Sequence, residues 1–213
     1  MIKMTQAGTG GGWRALFFAV VVASAWGTGA LCQSTSAPAL HFVAIGDVPP
    51  GIMDGLVAHF RTRFGVSIKI LLPLTLDRAT LDEQRSQLVA ERLIQAVRSR
   101  YPTLAKKPGT RVIAITPMDM YTDAMRDRWV FSFSLRSPDR HFAVVSYARM
   151  NPANFGERPN DVLLRTRLQK MIARNIGVMY FGLPLSADPR SVLFRDILGV
   201  DDLDRITEDF SPR

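Results

Sequence analysis

The sequence predicts one three-layer α/β (α+β) domain built on a mixed five-stranded sheet with helices. Three observations carry this. Five short apolar runs recur between His41 and Tyr147; segments of helical period separate the first three; and the last two follow one another across a tight turn, as antiparallel neighbours do. Composition agrees, since 47% hydrophobic and 22% charged residues in a chain of 213 is an ordinary globular balance. With one cysteine there is no internal disulfide, so a packed core must hold the fold alone.

The elements follow in order. His41 to Asp47 (HFVAIGD) is a strand closed by Val48-Pro49-Pro50-Gly51, whose prolines suit the first turn of a helix. On that helix Ile52, Leu56, Phe60 and Phe64 recur every fourth residue and form one apolar stripe. Val66 to Leu72 is a second strand. Thr80-Leu81-Asp82-Glu83 has the spacing of a capping box and is expected to open a helix running to about Arg100, with Val89, Leu93, Ala96 and Val97 inward. Arg111 to Thr116 is the third strand. Trp129 to Leu135 and His141 to Tyr147, joined by Ser137-Pro138-Asp139-Arg140, are the fourth and fifth. A long helix from Asp161 to about Tyr180 carries Leu164, Leu168, Met171, Ile172 and Met179 on one side, and a last helix starts at Asp201-Asp202 and reaches Glu208.

Ahead of this domain, residues 1–14 carry Lys3 and Arg14 and no acid, and Ala15 to Trp26 is an uncharged apolar run. That pattern is a secretory signal peptide, assigned to residues 1–32, with residues 33–40 a short polar linker and 41–213 the domain. The expected destination is periplasmic or secreted. A membrane span needs ~20 apolar residues, so membrane contact is expected only if the signal is retained or Cys32 is lipidated, and bulky Leu31 before Cys32 argues against the latter.

The formal net charge of +8 is spread along the chain among acids, which gives no argument for nucleic acid. No Gly-x-Ser-x-Gly turn or phosphate loop follows a strand, and His41, His59 and His141 are far apart, so no cofactor is expected. Asp119, Asp123 and Asp127 read as a solvated acidic face before they read as a metal site.

Four segments in this order carry a resemblance: Leu81-Asp82-Glu83-Gln84-Arg85-Ser86-Gln87, Ile113-Ala114-Ile115-Thr116-Pro117-Met118-Asp119-Met120-Tyr121, Val144-Val145-Ser146-Tyr147-Ala148-Arg149, and Arg167-Leu168-Gln169-Lys170. Their order and spacing resemble the archaemetzincin family of zinc metallopeptidases over roughly Phe42 to Ile206. The resemblance implies a metzincin (zincin-like) fold, in which zinc is held by HExxHxxGxxH above a methionine-containing turn. The chain departs from that pattern where the chemistry would be. The first His slot falls on Arg174, the Glu slot on Asn175, the second His slot on Val178 and the third near Pro184; Gly177 alone keeps its identity, and Leu193 takes the turn methionine's place. A catalytic zinc needs three protein ligands and a carboxylate base, so the resemblance implies an inactive homologue, a pseudoenzyme without metal.

The resemblance also implies a substrate groove. Its edge strand falls on Trp129 to Leu135, where Trp129, Phe131, Phe133 and Leu135 are expected to face the core and Val130, Ser132 and Ser134 to face outward, leaving an edge to which an extended peptide could add. Arg167, Lys170 and Arg174 form a basic row favouring acidic groups. Two states of Arg174 stay open, a buried guanidinium paired with Asp119, Asp123 or one of Asp201 to Asp204, and a solvated head on a packed stem. Two other functions also stay open: a hydrolase with a non-standard metal site at Asp119, Asp123 and His141, and a plain structural or partner-binding envelope protein.

Overall fold

The structure, a computed structural model, describes residues 39–125 and 127–212. The signal peptide assigned to residues 1–32, with Cys32, and most of the linker lie outside the described residues.

β1 (Ala39–Ala44) begins two residues earlier than expected, because Ala39 donates its N–H to the Gly109 carbonyl at 2.8 Å and Leu40 is buried; both had been assigned to the linker. It ends at the turn through Gly46, whose φ is 73°. Pro50 opens α1 (Pro50–Phe64), which closes at a left-handed Gly65 donating to the Arg61 carbonyl. β2 (Ile68–Ile70) follows.

The expected capping box does not start a helix. The Thr80 hydroxyl donates to the Asp77 carbonyl instead, and the Asp82 carboxylate accepts the N–H groups of Gln84 and Arg85 and the Tyr121 hydroxyl. Local side-chain bonds therefore win over helix. The residues form β3 (Leu81–Asp82) and β4 (Gln87–Val89), antiparallel across a turn in which Ser86 has φ 52°. The helix begins later, as α2 (Ala90–Arg100), with Ile94 buried and Ala96 only half-buried. A short α3 (Pro102–Ala105) leads into β5 (Thr110–Thr116), then β6 (Met120–Tyr121), β7 (Ser134–Arg136) and β8 (Phe142–Ser146). α4 (Asp161–Met179) is capped by Asn160, whose side chain accepts the Leu163 N–H at 2.9 Å. α5 (Val200–Arg205) is shorter than expected at its C-terminal end.

The main sheet runs β2-β1-β5-β8-β7, with β7 antiparallel at one edge and the other pairs parallel. Alternation along the strands sorts two cores. Phe42, Ile113, Ile115 and Val145 pack toward α1 and α4, while Val43, Val112, Ala114 and Val144 pack toward α2. The result is three layers around a mixed five-stranded sheet, as expected. A separate small sheet, β3-β4-β6, lies beside it.

The β7–β8 turn is held by Asp139. Burial alone would push its carboxyl up, but the Ser137 hydroxyl, the His141 N–H and Arg98 outweigh that and hold it down at about 2. A folded-state value below the ordinary ~3.9 adds stability above pH ~4 that is lost as pH falls toward about 2. Because the group is partly exposed, the gain should stay under about 1 kcal/mol. Urea unfolding from pH 6 down to pH 2 should show a shallower acid limb for Asp139→Asn than for the wild type; superimposable limbs would contradict the assignment.

Candidate active-site cleft

Nearly every residue in the second half of α4, from Met171 to Met179, is buried, so any polar side chain there must find its partners inside the protein. Arg174 is 7% exposed, and the sequence had allowed it either a carboxylate or solvent. The structure gives it neither. Its guanidinium donates to the Phe194 carbonyl, to the Val192 carbonyl at 3.5 Å and to the Arg195 carbonyl at 3.3 Å. The candidate partners are engaged elsewhere: Asp119 with Arg149, Asp202 with Arg205 and Asp204 with Arg167. Burial, together with the like charge of Arg136, brings Arg174 down to about 10, partly offset by Asp196, and it stays protonated at neutral pH.

The carbonyls Arg174 holds belong to the turn that carries Leu193. That turn is shaped by Ser191, whose hydroxyl accepts the Leu193 N–H and donates to the Phe210 carbonyl. Gly177 lies directly beneath: a Cβ there would sit 2.9 Å from Leu193 and 2.8 Å from the Phe210 ring.

Asn175 has no exposed surface and joins α4 to the edge strand. Its amide nitrogen donates to the Met171 carbonyl at 2.8 Å and to Ser134 Oγ at 3.0 Å, and its Oδ1 accepts from Arg136 Nη1 at 3.2 Å. Arg136 was not singled out in the sequence, although a period of two puts it on the same face as Ser134. Val178 is buried in the core and lines a smaller cavity with Pro184 and Arg136. Arg174, Asn175, Val178 and Leu193 therefore converge at one end of α4, with Pro184 on the loop beyond.

The expected groove changes in three respects. The edge strand is confined to Ser134–Arg136. Ahead of it Trp129 is 45% exposed instead of core-facing. Ser132 is buried, not outward, because its N–H donates to the Met120 carbonyl and its hydroxyl to the Ser134 carbonyl; Ser134 turns toward Asn175. The basic row is also broken up. Arg167 makes a two-pronged pair with Asp204 at 2.6 and 2.8 Å, and Lys170 donates to the Leu203 and Asp204 carbonyls, so both tie α4 to α5. Of the three, Arg174 alone reaches the cleft between β7, α4 and the Leu193 turn.

These residues do not fit zinc. A guanidinium offers no lone pair to a metal, Val178 has no donor atom, and Asn175 uses its amide on neighbours. Among the described residues no three His, Cys, Asp or Glu side chains gather to hold a metal ion, which also removes Asp119, Asp123 and His141 as a joint site.

No family model matches the chain. Its fold is similar to a zinc-dependent peptidase from Methanocorpusculum labreanum, with TM-score 0.68 and 22% identity over 81% of this chain and 95% of that one. It is also similar to archaemetzincin from Methanopyrus kandleri, with TM-score 0.63 and 24% identity over 84% and 92% of the two chains. The scaffold therefore has the fold of these zinc-peptidase and archaemetzincin structures. In sequence, the archaemetzincin of Pyrococcus furiosus is 29% identical over 159 residues, 71% of this chain and 77% of that protein. That of Pyrococcus horikoshii is 25% identical over 145 residues. In sequence as in fold the chain is thus similar to archaemetzincins, and it carries no HExxHxxGxxH.

Arg174→Ala would leave buried carbonyls of the Leu193 turn without a donor and should cost about 2–4 kcal/mol of stability. Arg174→Lys, with a single compact ammonium, should lose less. Urea denaturation reads both; a change within ~0.5 kcal/mol for the alanine variant would contradict the role given to Arg174.

Proposed function

We propose that this chain is an exported, catalytically inactive archaemetzincin homologue that holds an extended peptide segment along β7. One observation carries the loss of catalysis: the positions that would bind zinc and activate water hold Arg174, Asn175 and Val178, and the two polar ones are bonded to the Leu193 turn and to β7. Water would have neither a metal to lower its pKa nor a carboxylate to take its proton.

The edge strand supports the binding half. β7 pairs with β8 on one side only. The Phe133 carbonyl and the Ser137 N–H both bond β8 residues, so alternation turns the main-chain groups of Ser134 and Arg136 away from β8. An extended segment adding there would gain main-chain hydrogen bonds. Export is supported by Lys3, Arg14 and the apolar run from Ala15 to Trp26.

Two experiments test this reading. Purified protein supplied with zinc should release no fragments from casein, should bind no stoichiometric zinc, and should keep its melting midpoint in chelator; a structural zinc would be worth ~10–16 kcal/mol and its removal could not be missed. Zinc at one equivalent with hydrolysis would sink the inactive reading. Mass spectrometry of protein from the native envelope should find an N-terminus between Cys32 and Pro38; an intact Met1 in the cytoplasm would refute export.

A further inference from the structure

Several arginines in this protein pair with an acid. Arg63 pairs with Glu208 and Asp209, Arg98 with Asp139, Arg149 with Asp119 and Arg167 with Asp204. The cleft is different. Its cavity of about 590 Å³ is lined by Arg128, Arg136, Arg174 and Arg195, with no carboxylate among the described lining residues. None of the four makes an ion pair among the described residues. Arg174 uses its donors on carbonyls and Arg136 bonds the neutral Asn175 amide. Burial and a like-charged neighbour depress both guanidiniums. Asp196 offsets the charge of Arg174 only in part, and guanidiniums gathered this closely around a cavity with no carboxylate on its described wall are matched by an incoming anion.

The rest of the wall is apolar. Phe133, Met171 and Ile197 line it, and Trp129, Val130 and Leu198 stand at the mouth with 45%, 67% and 66% of their surfaces exposed. Exposed apolar side chains gathered around one concavity mark a binding surface. A free inorganic anion would leave that wall bare; a carboxylate on an apolar body would cover it. Ser134 and Arg136 place the open edge of β7 along the same cavity.

We propose that the cleft is a carboxylate site that takes the free C-terminus of an extended peptide, Arg136 and Arg195 contacting the α-carboxylate and the apolar wall receiving the last side chain. This rests on the edge-strand reading above, and the experiment separates the two.

Fluorescence anisotropy compares a fluorescein-labelled hexapeptide of alternating valine and threonine ending in phenylalanine, as the free acid and as the C-terminal amide. Calorimetry with 3-phenylpropanoate probes the carboxylate without a peptide. The acid should bind about tenfold tighter than the amide, the effect of losing one charge-assisted contact. Arg195→Gln, on an exposed side chain, should erase most of that preference, and Arg136→Gln, which keeps a donor for Asn175, should do the same; both should retain the wild-type melting midpoint. Equal binding of acid and amide would overturn the carboxylate site while leaving the edge-strand reading standing. Binding of 3-phenylpropanoate without either peptide would keep the anion contacts and overturn the peptide as their source. No binding in any arm would overturn both.

Discussion

The cleft end of this protein is organised around one guanidinium. Arg174 donates from α4 to the carbonyls of the Leu193 turn and ties that turn to the helix, alongside the bonds of Ser191 and Ser186 that shape it. Here the positive charge is covalent to the helix, and its acceptors are neutral carbonyls, not ligands that must be deprotonated. Asn175, one residue on, extends the arrangement to the edge strand through Ser134 and Arg136. Helix, turn and strand are thus joined by two adjacent side chains.

This arrangement also leaves the charge of the cleft unpaired. Arg128, Arg136, Arg174 and Arg195 line the cleft, and no carboxylate does so among the described residues.

The strands of the main sheet were legible because burial on both faces imposes long apolar runs, and α4 because Leu164, Leu168 and Met171 repeat at helical spacing. The region from Thr80 to Val89 was not. Its residues satisfy a helix-start pattern, but Asp82 finds Tyr121, thirty-nine positions away, and that pairing has no local signature. Trp129 to Phe133 misled for a related reason: alternation of aromatic and small residues looks like a strand, yet Ser132 bonds Met120 and the chain joins β8 only at its last residues. The departures of Arg174, Asn175 and Val178 from HExxHxxGxxH were plain in the sequence, since identity at fixed spacing is all that pattern requires. What Arg174 does was not, because its acceptors are carbonyls, which every residue carries alike.

Gly177 is the one position of the motif that keeps its identity, and the structure gives it an occupation unrelated to metal. The absent Cβ admits Phe210, which stacks on Phe64 at 4.9 Å and meets Phe181 at 5.7 Å, closing an aromatic row that begins at Phe60. That row fastens the end of the chain over the helix. Histidines placed at positions 174 and 178 would remove the arginine that holds the turn and crowd a helix face already filled by core side chains. Gly177 is the keyhole through which the C-terminal segment is locked onto α4, so a side chain placed there would loosen the terminus before it touched the cleft.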